Sequence, residues 1–410
     1  MKQKHNPPKH FLLLSTIVFI MLFLTSCKEA DFNPVEPQVY SRGDLVSTTW
    51  LGKFNADAIE AEIAKNGINV DLLYDVNIYK VIYKTRDAKG NIVTASGALF
   101  IPVGKDNLSI MSLQHGTQTK RTKVGSANIQ DAFEGLIGGA LGYLSLVPDY
   151  LGLGESQMVH PYHHAKTSAE TVIDFIRACR KEALKQSIKL NGQVFLAGYS
   201  EGGYVTMAAH REIQQYYSGE INVMASAPMA GAYDLYSTAK KILKDKTYDE
   251  PSFLAYLIVA YNDIFGWNAL NKYFNSPYLE KIPSLFNGTK TTDEINSALT
   301  NDLSKLFKQD FIDSFENGTE TNLTNAFKDN GLINWVPNVP VKLFHGDADQ
   351  FVPYQNSVDA YNHFKSNGAD VEFFTIPGGN HYTAAIPSIL GAIEWFESIR
   401  LNKMIAANYN

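Results

Sequence analysis

Only two of the 410 residues are cysteines, Cys27 and Cys179, too few to build a disulfide framework. Positive charge is scarce as well. The charged fraction is 19% and the formal net charge is −6, which leaves no basic patch and no reason to expect nucleic acid as a partner. The apolar run at the amino terminus, Phe11 to Thr25, is shorter than the ~20 residues that span a bilayer. No internal repeat is visible, which excludes a solenoid or array. What the chain does have is apolar bulk: 45% hydrophobic and 12% aromatic residues, ample for a large core in one large domain or two smaller ones.

The amino terminus reads as a targeting segment. Lys2, Lys4 and Lys9 precede the apolar run, and Leu24-Thr25-Ser26-Cys27 follows it. A basic start, an apolar middle and small residues before a cut describe an export signal. The ending resembles a bacterial lipobox, which implies cleavage before Cys27, a lipid on that thiol, and a place in the cell envelope on the membrane. Residues 1–26 are then the leader and 27–52, polar with Pro34 and Pro37, a tether. The folded domain is expected over 53–410.

Within that body, Val70 to Lys84 and Asn91 to Val103 flank a turn at Lys89-Gly90 and read as antiparallel strands. Strands then alternate with helices. Ser109 to Leu113 and Tyr143 to Pro148 are strands, and Ser168 to Gln186 is a helix with Thr167 and Glu170 in capping-box spacing. Cys179 sits on its apolar face as a small buried hydrophobe. Such alternation predicts an α/β fold with a mostly parallel sheet covered on both faces. It is interrupted from about 235 to 335 by a mainly helical insertion rich in aromatics, and resumes with the strands Val341 to Phe344 and Val371 to Ile376.

Residues 193–207 carry the chemistry. The apolar run Val194 to Ala197 leads through Gly198-Tyr199-Ser200-Glu201-Gly202 into a helix-prone segment. Strand, Gly-x-Ser-x-Gly, helix is the context of a nucleophile elbow, whose tight turn needs glycine on both flanks. Ser200 would be the nucleophile. After the strand at 341–344 come His345-Gly346-Asp347-Ala348-Asp349, and after the strand at 371–376 comes His381. A carboxylate and a histidine on loops at the carboxyl ends of parallel strands can orient and accept the serine proton. Asp349 and Asp347 both lie on the first loop. Ser112 to Thr117 ends an early strand, where one oxyanion amide is drawn in this arrangement; Thr117, with Gly116 close behind, would supply it, and the backbone N–H of Glu201 the other.

The stretch His345 to Pro353 resembles the His-Gly-x-x-Asp-x-x-Val-Pro segment of α/β-hydrolases, which selects Asp349 over Asp347. Pro148-Asp149-Tyr150-Leu151-Gly152 resembles the Pro-Asp-Tyr-x-Gly stretch of secretory lipases. From about Tyr74 to the end the chain thus resembles an α/β-hydrolase near the carboxylesterase and secretory-lipase branch. The resemblance implies hydrolysis of carboxylic esters through an acyl-enzyme by Ser200, Asp349 and His381, with no metal or organic cofactor, and a cap formed by residues 235–335. His160, His163 and His164 have no acid or cysteine at metal-ligand spacing and are expected at the mouth of the site or capping the next helix. Two other functions fit the same scaffold: a serine peptidase of the aminopeptidase type and a non-catalytic binding lipoprotein. A peptidase of the prolyl-oligopeptidase type would need a propeller domain that the short stretch after Cys27 cannot hold.

Overall fold

The computed structural model describes residues 39–408 apart from 66 and 69. The leader, Cys27 and residues 28–38 of the expected tether fall outside the described residues. Nine strands form one sheet in the order β1-β2-β3-β5-β4-β6-β7-β8-β9. The first three, β1 (Leu45–Phe54), β2 (Val76–Arg86) and β3 (Ile92–Pro102), form an antiparallel flank. β5 (Leu144–Pro148) joins it antiparallel to β3. From there β4 (Leu108–Gln114), β6 (Leu190–Tyr199), β7 (Asn222–Met229), β8 (Val341–Gly346) and β9 (Val371–Ile376) run parallel. Every residue of β4 and of β5 is buried, as expected of strands covered on both faces. The chain crosses from β4 outward to β5 and then back past β4 to β6. This reversal is a switch point, and it opens a crevice at the strands' carboxyl ends.

Helices α1 (Ala56–Ala64), α2 (Phe133–Ala140), α3 (Ala165–Lys185) and α4 (Glu201–Glu212) belong to the first half of the sheet. The insertion after β7 holds α5 (Leu235–Asp245), α6 (Pro251–Phe265), α7 (Leu270–Tyr273), α8 (Tyr278–Leu285), α9 (Thr292–Ala298), α10 (Leu303–Leu306), α11 (Gln309–Glu316) and α12 (Thr321–Asp329). α13 (Gln355–Ser366) separates β8 from β9, and α14 (Ala385–Asn408) follows β9. Most of the insertion's aromatics pack on one another: Phe274 on Phe307, Phe307 on Phe311, and Phe315 on Phe327, with centroids 5.2 to 5.9 Å apart.

Two boundaries differ from the sequence reading. The folded body begins near Tyr40, so the second half of the expected tether is not a tether. Arg42 pairs with Asp174 at 2.9 Å and Glu170 at 2.8 Å on α3, and residues 45–54 pair with β2 as an edge strand. That strand is interrupted by two register shifts and has no fully buried residue, which hides its alternation. Helix α3 starts three residues before the expected point. The side chain of Asn330 accepts a bond from the Ala165 N–H at 2.8 Å and so satisfies a first-turn donor from far along the chain. Glu170 is engaged by Arg42 and takes no part in a capping box.

Candidate active site

The elbow is built by crowding. Ser200 ends β6 with φ 62 and ψ −121, a conformation that costs a non-glycine residue on the order of 1–3 kcal/mol. A Cβ on Gly198 would overlap the Gly202 carbonyl, and one on Gly202 would overlap the carbonyl of Gln114. Glycine at both positions lets β4, β6 and α4 close on one point. The Ser200 N–H is held by the Met229 carbonyl at 2.9 Å. Glu201 is the first residue of α4, so its N–H has no acceptor within the helix and faces outward with the positive end of the helix dipole.

The loops after β8 and β9 meet the elbow. His381 Nε2 lies 2.9 Å from Ser200 Oγ, and His381 Nδ1 lies 2.6 Å from Asp349 Oδ2. Asp349 is buried and fully engaged. Its Oδ1 accepts from the N–H groups of Phe351 and Val352 at 2.8 and 2.9 Å, and its Oδ2 lies 3.2 Å from His345 Nε2. Burial pushes the carboxyl pKa up, but the bonds and charges of His345 and His381 outweigh it and hold Asp349 well below the usual carboxylate range. Asp347 is elsewhere: its Oδ1 accepts from the Gly378 N–H at 2.7 Å on the surface. The Tyr199 hydroxyl, one residue before the serine, donates to the His381 carbonyl at 2.7 Å and ties the histidine loop to the elbow.

The loop after β4 passes close to Ser200. A Cβ on Gly116 would lie 3.8 Å from that of Ser200. Thr117 Oγ1 is 2.8 Å from the Tyr162 hydroxyl, and the Tyr150 hydroxyl donates to the His115 carbonyl at 2.9 Å. The stretch after β5 therefore braces this loop. Its glycines are required where the backbone doubles back: Gly152 has φ 81, and a Cβ there would run into the backbone of His160.

A family model for secretory lipases matches residues 134–407. The chain belongs to the secretory lipase family. Among relatives in that family, Lipase 9 of Candida albicans is 24% identical over 273 residues, covering 62% of this chain and 55% of its own. The chain thus spans about half the length of the curated relatives it matches. The crystal structure of the rice cell wall degrading esterase LipA from Xanthomonas oryzae superposes with a TM-score of 0.78 at 28% identity, over 86% of this chain and 95% of that one. Candida antarctica lipase A in its closed state shares the fold, with a TM-score of 0.65 at 15% identity over 88% and 82% of the two chains.

In this secretory-lipase family member, the sequence reading overlooked part of the polar site. Glu201 was expected to contribute only its backbone, yet its buried carboxylate sits 2.6 Å from His160 Nε2, while His160 Nδ1 donates to the Leu151 carbonyl at 2.6 Å. Burial raises the Glu201 pKa, and the charge and bond of His160 more than reverse that. His163 is buried against Tyr162 and Tyr204, and burial holds its pKa down at about 4. His164 occupies the N-cap position of α3. Among the described residues no group of three or more His, Cys, Asp or Glu is placed to hold a metal ion. The one signal that pointed here was the crowding of three histidines in five residues.

Proposed function

We propose that the protein hydrolyses carboxylic esters through an acyl-enzyme on Ser200, with His381 as general base and Asp349 as its orienting acid. The continuous line from Ser200 Oγ through His381 to Asp349, closed at 2.9 and 2.6 Å, carries this reading; the family and the esterase neighbour support it. Ser200 Oγ attacks the acyl carbon as its proton passes to His381 Nε2. Asp349 stabilises the imidazolium and keeps the proton-accepting nitrogen toward the serine. The oxyanion takes hydrogen bonds from the N–H of Glu201 and of Thr117, with Gly116 as the neighbouring donor, each worth on the order of 100- to 1000-fold in rate. His381 returns the proton to the leaving alkoxide, and water repeats the sequence to release the acid.

Ser200→Ala should lower kcat for p-nitrophenyl acetate by roughly 10⁵- to 10⁶-fold with an unchanged thermal midpoint. Retained turnover, or faster cleavage of aminoacyl p-nitroanilides than of esters, would overturn the assignment.

The placement of the enzyme in the cell is a second part of the proposal. The leader and Cys27 support a lipid anchor in the bacterial envelope, with ~0.8 kcal/mol from each buried methylene. No helix among the described residues is long and apolar enough to cross a membrane. Cys27→Ser should move the protein from the membrane fraction to the soluble one; continued sedimentation with membranes would refute the anchor.

A further inference from the structure

Beside Ser200 lies a cavity of about 40 Å³. Ser200 and Glu201 form its floor, and the insertion closes it from above. Ala239 and Ile242 on α5, and Leu254 and Leu257 on α6, point into it. Each pair is spaced i, i+3 and so shares one face of its helix. All four side chains are buried, none more than 8% exposed. The wall they form is packed on the body at several points. The Tyr261 hydroxyl on α6 donates to the His163 carbonyl at 2.9 Å, the Tyr248 hydroxyl between α5 and α6 donates to the Phe351 carbonyl at 3.1 Å, and Asn356 on α13 accepts from the Asp234 N–H at 3.0 Å.

The cavity lies on the acyl side of the nucleophile. His381 has to hand a proton to the leaving-group oxygen, and His381 does not line this space. The alcohol portion is therefore assigned to the His381 side of Ser200. The substituent on the acyl carbon must then point the other way, under α5 and α6. An apolar cavity of roughly 150 Å³ takes a benzene ring, with its six carbon atoms. A space of about 40 Å³ therefore admits one or two carbon atoms.

We propose that this site is specific for short acyl groups, acetyl and propionyl, and that Ile242, Leu254 and Leu257 set the limit. The inference rests on the ester-hydrolase reading and deepens it. Longer chains exceed this space unless a wall residue moves, and a single misfitting methylene in such a pocket changes kcat/KM by on the order of 10- to 100-fold.

The test is a p-nitrophenyl ester series with acyl chains of two, four, eight and twelve carbons, run on the full chain. The expected result is a fall in kcat/KM of at least about 100-fold from two carbons to eight. Leu254→Ala and Leu257→Ala should each raise the eight-carbon to two-carbon ratio by about 10-fold or more; Ile242→Val, which removes one methyl group and leaves the fold least disturbed, should raise it by a few-fold. Because the readout is a ratio within one enzyme, partial unfolding does not imitate it. Eight- and two-carbon esters cleaved equally well by the wild type, or a ratio unmoved in all three variants, would overturn the size limit and leave the ester-hydrolase reading intact. Absence of turnover with every ester, together with failure of a fluorophosphonate to label Ser200, would overturn that reading and this inference with it.

Discussion

Two buried carboxylate–imidazole pairs lie beside Ser200, each closed at 2.6 Å: Asp349 with His381, and Glu201 with His160. They differ in what the rest of each group touches. Asp349 has donors on both oxygens, and His381 keeps one nitrogen for the serine. His160 is held at both nitrogens, by Glu201 and by the Leu151 carbonyl, while Glu201 Oε2 has no hydrogen-bond partner among the described residues. In the proposed mechanism the first pair moves a proton because its imidazole ends on the Ser200 hydroxyl. The second ends on a backbone carbonyl and holds position, fixing the residue whose N–H is the proposed oxyanion donor against the loop that braces Thr117.

That contrast yields its largest predicted effect when the two histidines are removed separately. His381→Ala should cost about 10⁵- to 10⁶-fold in kcat with little change in stability, since Asp349 retains three other donors. His160→Ala should do the reverse. It leaves the Glu201 charge buried without a partner, a loss of about 3–5 kcal/mol, while kcat falls far less. Denaturant melts and initial rates on both variants separate the cases, and an exchange of the two outcomes would break the comparison.

A smaller effect tests the acid. Asp349→Asn keeps the shape but changes what His381 can donate to, and should lower kcat by about 10⁴-fold. Asp347→Asn disturbs one surface bond to Gly378 and should change kcat by no more than a few-fold. A dead Asp347 variant beside an active Asp349 variant would reassign the acid and with it the distinction between the two pairs.

These two pairs were not equally visible in the sequence. Ser200, Asp349 and His381 each follow a short apolar strand, and parallel strands place their following loops on one edge. Local pattern was therefore enough to bring three distant residues to one place. Glu201 and His160 meet because the loop after β5 folds back under α4, a path decided by Gly152 and Tyr150 packing that no local period records. His345 was read as part of a motif, and its contact with Asp349 comes from the turn of that loop. The same limit explains the structural misses. The register shifts in β1 break the alternation that marks a strand, and the start of α3 depends on Asn330, 165 residues away. Interactions within one element were legible; those that need two elements to arrive together were not.

His210 supplies the control that both pairs lack, a buried imidazole with no carboxylate. It lies on α4 with Nδ1 2.8 Å from Ser226 Oγ, its ring in edge contact with Trp335, and no partner for Nε2 among the described residues. Burial alone pushes its pKa down to about 3, so it stays neutral in the folded chain. The unfolded chain binds a proton there below about pH 6.5. The folded pKa is the lower one, so this contribution to stability is complete above pH 6.5 and is lost progressively as pH falls toward 3. The slope is about 1.4 kcal/mol per pH unit for a single group. The difference in unfolding free energy between wild type and His210→Gln, followed by denaturant titration from pH 7 to pH 4, should therefore be flat above 6.5 and then change with that slope as the wild type loses stability faster. A difference that stays constant over the whole range would mean that His210 takes up a proton in the fold as readily as in the unfolded chain, and that an imidazole here does not need a carboxylate to hold its proton.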